Sequence, residues 1–444
     1  MSSHGGCNTD DIGCAQRALS VTPVVTPVNL FDPEVQENWY PSYALLQQEA
    51  PICFLPEQNM YVVTRYQDIH YIVRHPELFT NQQGVLGRDP LLSDPDARAI
   101  YNAQGFDRMF PLSSDPPLHK KYRKLIEEAF SRAGVRKYEP YIVEVVTALL
   151  DQWADKREID FIAEFCDPLP RLVIATILGF PVEDLPQLVV WSAAWVRVWE
   201  GELTKEEQLD VAQKGVDFQN YIIHKVREKR ANPKDDLISE LAQASFDGQR
   251  PLDDDEIISI IDHLFIGGNE TTTFALASAL WLLLQNPEQM HKVREDRSLL
   301  KNMVEEVLRL ESPTQGMPKI TMAEVEISGV VLPKGAVVHL RYGAANRDPE
   351  KFECPHAMDV ERTNAGSHMA FSQSIHSCPG ATLSRVELLI AFDLLLQRTA
   401  DITFTPNQND FRHLPGFVLR ALKNLYITVT PVAAADACAA IKDR

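Results

Sequence analysis

The stretch that most constrains this chain is a helical pattern at 253–285, whose middle reads Gly267-Gly268-Asn269-Glu270-Thr271-Thr272-Thr273. Glycine and β-branched threonine are poor helix formers, each glycine costing about 1 kcal/mol relative to alanine, and a carboxylate here sits between apolar turns. Something must offset that cost. One solution is a packing helix kinked at its glycines. The other is a bound planar cofactor: the glycines let it and O₂ approach the backbone, while a hydroxyl bonding back to a carbonyl opens the helix for water.

Around this element, helical periodicity covers 34–49, 118–132, 142–156, 161–178, 186–199, 205–229, 301–310 and 381–396. Short β-like runs fall at 52–55, 60–64, 402–404 and 425–429, and 324–332 with 336–340 reads as a hairpin across Pro333-Lys334-Gly335. The segment 347–377 has no periodicity and is longer than ordinary structureless loops, which marks it as functional. The fold class is therefore mainly α with a smaller β-rich region. The expected division is an extended arm at 1–32, a single domain at 33–431 and a tail at 432–444.

Composition narrows the function. Lys and Arg number 43 against 62 Asp and Glu, a net charge of −19 that repels nucleic acid and anionic lipid. The longest apolar stretch, 274–284, falls far short of the roughly 20 residues needed to span a bilayer, and no leader peptide is evident, so a soluble cytoplasmic protein without a membrane anchor is expected. The 7 cysteines are scattered without a C-x-x-C pair, against both a disulfide framework and a zinc ribbon.

One cysteine stands out. Cys378 precedes the helix that opens near Pro379, where unpaired backbone N–H groups and the helix dipole favour a thiolate. It reads either as a buried free cysteine or as an axial ligand to an iron already held by four porphyrin nitrogens. The segment Phe371-Ser372-Gln373-Ser374-Ile375-His376-Ser377-Cys378-Pro379-Gly380 resembles the cysteine-ligand loop of the cytochrome P-450 family, F-G-x-G-x-H-x-C-x-G. Phe371, His376, Cys378 and Gly380 match in register; Ser372 and Ser374 replace glycines that would reach φ > 0. Four further motifs precede it in the family's order: His119 with Arg123 after Asp115-Pro116-Pro117, where Asp115 reads as a helix N-cap; Gly267, Gly268, Glu270 and Thr271 in the long helix; Glu306 and Arg309 as E-x-x-R; and Arg362 downstream. On their own these could be surface helix residues.

The resemblance implies the cytochrome P-450 fold and haem b between the Gly268–Thr271 helix and the Cys378 loop. His119, Arg123, His376 and Lys319 would bind the propionates, with Lys319 standing where arginine is usual. Glu270 and Thr271 would deliver protons to dioxygen, and Glu306, Arg309 and Arg362 would form a buried structural cluster. The implied activity is O₂-dependent oxygen insertion into an apolar small molecule. Its electrons would come from NAD(P)H through a separate ferredoxin and reductase, docking on Lys120, Lys121, Lys124 and Arg385. A peroxide-driven enzyme and a non-catalytic haem-thiolate sensor or carrier are the alternatives. The expected pocket residues are Phe106, Met109, Phe110, Leu264, Phe265, Gln315, Met317, Phe417 and Val418. Trp191, Trp195 and Trp199 recur on one helix face and read as core packing over a pocket roof.

Overall fold

The computed structural model describes residues 28–81, 93–103, 111–197, 203–246 and 248–432, and only the backbone of Trp195. Most of the expected arm and tail lie outside these residues, as do Phe106, Met109, Phe110 and Trp199.

Helices occupy the periodic segments, with ends set by local chemistry. The pattern at 34–49 divides into Pro33–Glu37 and Tyr40–Glu49, because Pro41 fits only the first turn of a new helix. The long helix spans Asp254–Gln285 and starts with a capping box in which Asp253 and Glu256 exchange side-chain and backbone bonds. It runs as one helix through Gly267–Thr273. The pattern at 161–178 resolves into a π-helical turn, Ile162–Cys166, followed by the α-helix Pro168–Leu178. Pro168–Leu178, Leu185–Arg197, Lys205–Ala231, Leu300–Leu310 and Ala381–Arg398 pack on the long helix, and Leu118–Phe130 is tied to it where Tyr122 Oη donates to Glu256. Their apolar faces share one large core that includes Ile126, Ile174, Phe218, Phe265, Leu280, Val307 and Phe392. Trp191 packs in this assembly against Phe218 and Tyr221, as core packing requires.

A five-stranded sheet lies in the order Ile52–Leu55, Met60–Val63, Val337–Arg341, Gly316–Thr321, Phe79–Thr80. The middle pair, Met60–Val63 with Val337–Arg341, is parallel and the other pairs are antiparallel. The expected hairpin of 324–332 with 336–340 is not formed. Instead Ser328-Gly329, with φ of 48° and 79°, turns Val325–Ile327 back onto Val330–Leu332, and Val337–Arg341 joins the larger sheet. Positive φ at both turn positions favours this tighter hairpin. Among the described residues, no helix is long and apolar enough to cross a membrane.

Candidate active site

The cysteine loop is built on two left-handed serines. Ser372 has φ of 53° and Ser374 φ of 66°, so both adopt the conformation that the family's motif assigns to glycine. Ser372 gains a bond there, since Tyr342 Oη donates to its Oγ at 3.2 Å. No comparable side-chain bond holds Ser374. The loop then closes as Cys378 N donates to the Phe371 carbonyl at 2.9 Å. Cys378 Sγ remains accessible although it lies deep in the protein. Burial pushes its thiol up, opposed by the Gly380 and Ala381 N–H groups and by Arg123 and Arg385. These donors favour an anionic sulfur once a positive partner is present.

Above the loop, four basic side chains from three segments converge, His119 and Arg123 from one helix, Lys319 from a strand and His376 from the loop itself. His119 is buried on the first turn of Leu118–Phe130, and its ring centroid lies 4.2 Å from that of His376. Burial lowers the pKa of His119, with Arg123 adding to the effect. Burial lowers that of His376 to about 3, reinforced by Lys319, His119 and Arg123 and only partly opposed by the Leu112 carbonyl. Lys319 is lowered by burial to about 8, and its Nζ donates to Asn81 Oδ1 at 2.6 Å. Burial also lowers Arg123, against the pull of Cys378 and Glu127.

Among the described residues His119 Nε2 is buried without a hydrogen-bond partner, and the buried ring of His376 meets only the Leu112 carbonyl. Among the described residues, neither Arg123 nor Lys319 has a salt-bridge partner. Such a set has the chemistry to receive carboxylates, and beside an accessible thiol it fits a porphyrin with its propionates.

Asp115 is not the helix cap expected of it. The Pro116-Pro117 turn intervenes, and its carboxylate instead accepts from Thr80 Oγ1 and, at 3.3 Å, from Asn81 N. This ties the start of the His119 helix to the strand end from which Asn81 reaches Lys319.

The long helix shows one open stripe. A Cβ added to Gly267 would meet nothing within 4 Å, whereas one on Gly268 would strike Ile174 at 2.9 Å. Gly268, expected to admit the cofactor, therefore serves close packing against Pro168–Leu178, and Gly267 faces open space. Thr271 Oγ1, on the same stripe, donates back to the Gly267 carbonyl at 3.0 Å. Glu270 accepts from the buried Ser192 Oγ at 3.4 Å, joining the long helix to Leu185–Arg197.

Glu306, Arg309 and Arg362 form the expected cluster. Arg309 Nε and Nη2 grip Glu306 at 2.7 and 2.8 Å, and Arg362 Nε reaches it at 3.0 Å. Both carboxylate and Arg309 are fully buried. The remaining donors of the two guanidiniums bond the carbonyls of Asn346, Glu353, Pro355 and Ala357, which fixes the irregular segment leading to the cysteine. Next to it, burial would raise Glu305, but hydrogen bonds from His368 and Arg385 hold it at about 2. Burial lowers His368, so this ring acts as a neutral donor and Arg385 carries the ion pair. Arg385 also stacks on Phe371 with its guanidinium carbon 4.6 Å from the ring centroid. Paired in this way, it is no free member of the expected basic island; Lys120 and Lys124 are exposed.

Several pocket expectations fail. Leu264 and Phe265 are buried in the main core, Phe265 against Phe180 and Phe218. Gln315 is fully buried, donating to the Ser312 carbonyl and accepting from Tyr43 Oη. Phe417 stacks on Phe31 and lies under Arg341. Val418 packs on the same cluster, while Met317 is exposed at the end of its strand. The residue overlooked in the sequence is His263, four before Gly267 and eight before Thr271; that spacing was its signal.

A family model described as Cytochrome P450 matches residues 174–426. The chain belongs to the cytochrome P450 family. It is 34% identical over 402 residues to cytochrome P450 107B1 of Saccharopolyspora erythraea, covering 89% of this chain and 96% of that one. Among solved structures it is similar to P450BioI in complex with a hexadec-9Z-enoic acid ligated acyl carrier protein, with TM-score 0.80 and 31% identity over 90% of this chain and 99% of that one. It is also similar to CYP109E1 from Bacillus megaterium in complex with testosterone, with TM-score 0.76 and 29% identity over 88% and 99% of the two chains. This P450 is a haem-dependent monooxygenase by family.

Proposed function

We propose that this P450 inserts one atom of O₂ into an apolar small molecule, with two electrons delivered from NAD(P)H by a separate ferredoxin and its reductase. The observation that carries the reading is the placement of Cys378 beneath four basic groups, of which Arg123 and Lys319 have no salt-bridge partner among the described residues, near the open stripe of the long helix. Haem b bound there supplies the redox chemistry that activates O₂.

Cys378 would hold the iron as thiolate, stabilised by the Gly380 and Ala381 N–H groups. Arg123 and Lys319 would neutralise the propionates, His119 and His376 would hydrogen-bond them, and Phe371 with Gly380 would wall the sulfur. On the opposite side Thr271 holds a hydroxyl proton at the open stripe, parked on the Gly267 carbonyl. Glu270 is the acid that would resupply it, with Ser192 orienting its carboxylate. Gly267 keeps side-chain bulk away from the reacting space. The exposed Lys120 and Lys124, next to the His119–Arg123 turn, would meet an acidic electron donor against a chain otherwise strongly negative.

The ligands named for the two solved neighbours, a fatty acyl chain and a steroid, support a largely hydrocarbon substrate. We place the activity in one domain, 33–431, in the cytoplasm. The test is the ferrous carbon monoxide complex of the haem-loaded protein: wild type should absorb at the long-wavelength Soret position of thiolate ligation, and Cys378→Ala should lose it. A normal spectrum in Cys378→Ala would overturn the proposal.

A further inference from the structure

An imidazole placed mid-helix between apolar turns must either find a partner or face a space that provides one. His263 lies in the run Ile260-Ile261-Asp262-His263-Leu264-Phe265-Ile266, flanked by core residues. It is half-buried, and among the described residues its ring has no hydrogen-bond or ion-pair partner. Its neighbours at four-residue intervals are Gly267, which faces open space, and Thr271, whose hydroxyl is accessible. Residues four apart share a helix face, so the three form one stripe.

The ring also lies within the field of Arg123, the same guanidinium that acts on Cys378. On the proposed reading, in which Gly267 and Thr271 border the reacting space, His263 stands on the same open face. Burial, with Arg123 adding to it, lowers its pKa and keeps the imidazole neutral, with one donor and one acceptor nitrogen.

We infer that His263 is a specificity-determining residue that hydrogen-bonds a neutral oxygen function, a carbonyl or hydroxyl, on an otherwise hydrocarbon substrate. This rests on the monooxygenase reading and narrows its substrate class from apolar compounds in general to oxygen-bearing ones. The helix rise of 1.5 Å per residue sets His263 about 6 Å along the axis from Gly267 and about 12 Å from Thr271. A substrate anchored at His263 is therefore oxidised several bonds away from its oxygen function, not next to it.

The test uses haem-loaded protein and matched pairs of ligands from bicyclic to steroid size, such as 5α-androstane and 5α-androstan-3-one. Binding is read from the change in the visible spectrum as ligand enters, and haem content is read in parallel. In the wild type the ketone member of at least one pair should bind more tightly than its hydrocarbon. His263→Leu should weaken that ketone about three- to tenfold, the range of one neutral hydrogen bond, while the hydrocarbon binds as well or better. His263→Gln, which keeps a donor and an acceptor, should retain the preference, and serves as the readout should the leucine variant fold poorly. Equal binding of both members throughout the wild-type series overturns the inference, as does an unchanged ketone preference in His263→Leu. Loss of haem from both variants would assign the ring to the propionates instead and also overturns it. A wild type lacking the thiolate carbon monoxide spectrum would instead defeat the underlying enzyme assignment.

Discussion

Replacing Ser374 by glycine should stabilise the protein, whereas the same change at Ser372 should not. Both serines occupy the left-handed region, where a side chain costs about 1–2 kcal/mol. Glycine removes that strain but enlarges the unfolded ensemble by about 0.4–1 kcal/mol, leaving a net gain of about 0.5–1 kcal/mol at Ser374. At Ser372 the gain is cancelled because Tyr342 loses its acceptor, and a buried hydroxyl left unpaired costs about 1–3 kcal/mol. For a chain of 444 residues, each 1 kcal/mol moves the melting temperature by only about 1 °C, so the measurement must be a differential one. Haem-loaded wild type, Ser374→Gly, Ser372→Gly and Ser372→Gly/Tyr342→Phe should be melted side by side. The expected order places Ser374→Gly above wild type and Ser372→Gly at or below it, with Tyr342→Phe restoring part of the loss. Equal upward shifts for both glycine variants would refute the role assigned to the tyrosine–serine bond.

Other perturbations probe the remaining parts of the site. Thr271→Ala should keep consuming NAD(P)H while product per electron pair falls about 10- to 100-fold and hydrogen peroxide accumulates; undiminished product would remove the hydroxyl from proton delivery. Arg309→Leu strands the buried Glu306 and should cost about 3–5 kcal/mol, seen as a lower urea midpoint and poor haem retention. The folded-state pKa of Glu305 is depressed from 4.5 to about 2, so its stabilisation, about 3 kcal/mol, is present in full above pH 4.5 and lost as pH falls to about 2. The stability advantage of wild type over Glu305→Gln should shrink across that window, and a constant advantage would show that the pairing with Arg385 and His368 is not its source.

Legibility in the sequence followed the range of the interactions. Motifs whose members share one turn or one loop, such as Glu306 with Arg309 or the Phe371–Gly380 run, could be read directly and the structure assembles them. The left-handed geometry also persists at Ser372 and Ser374, because the surrounding chain dictates φ more strongly than residue type does. What could not be read was direction across the fold. Leu264 and Phe265 lie on the long helix beside His263, yet only the position of Cys378 reveals which side of that helix is open. Likewise Asp115 has the composition of an N-cap, but its acceptors serve Thr80 and Asn81 from a distant strand, a partnership that local pattern does not encode. Gln315 and Phe417 were misplaced for the same reason: each is absorbed by contacts with the N-terminal segments around Phe31 and Tyr43.

The clamp on Glu306 sends its outward hydrogen bonds to main-chain oxygens. Between Asn346 and Ala357 it bonds the carbonyls of Asn346, Glu353, Cys354, Pro355 and Ala357, and Arg309 also lies over the buried Phe352 ring. Point changes at the exposed Glu353 and Ala357 should pass almost unnoticed, because only their carbonyls are gripped, whereas Asn346, Arg347 and Phe352 carry buried side-chain contacts and should not tolerate replacement. Deleting a single residue would shift every later carbonyl out of register and swing the thiol away from its station, so at the gripped exposed positions the segment is rigid in length and permissive in lettering.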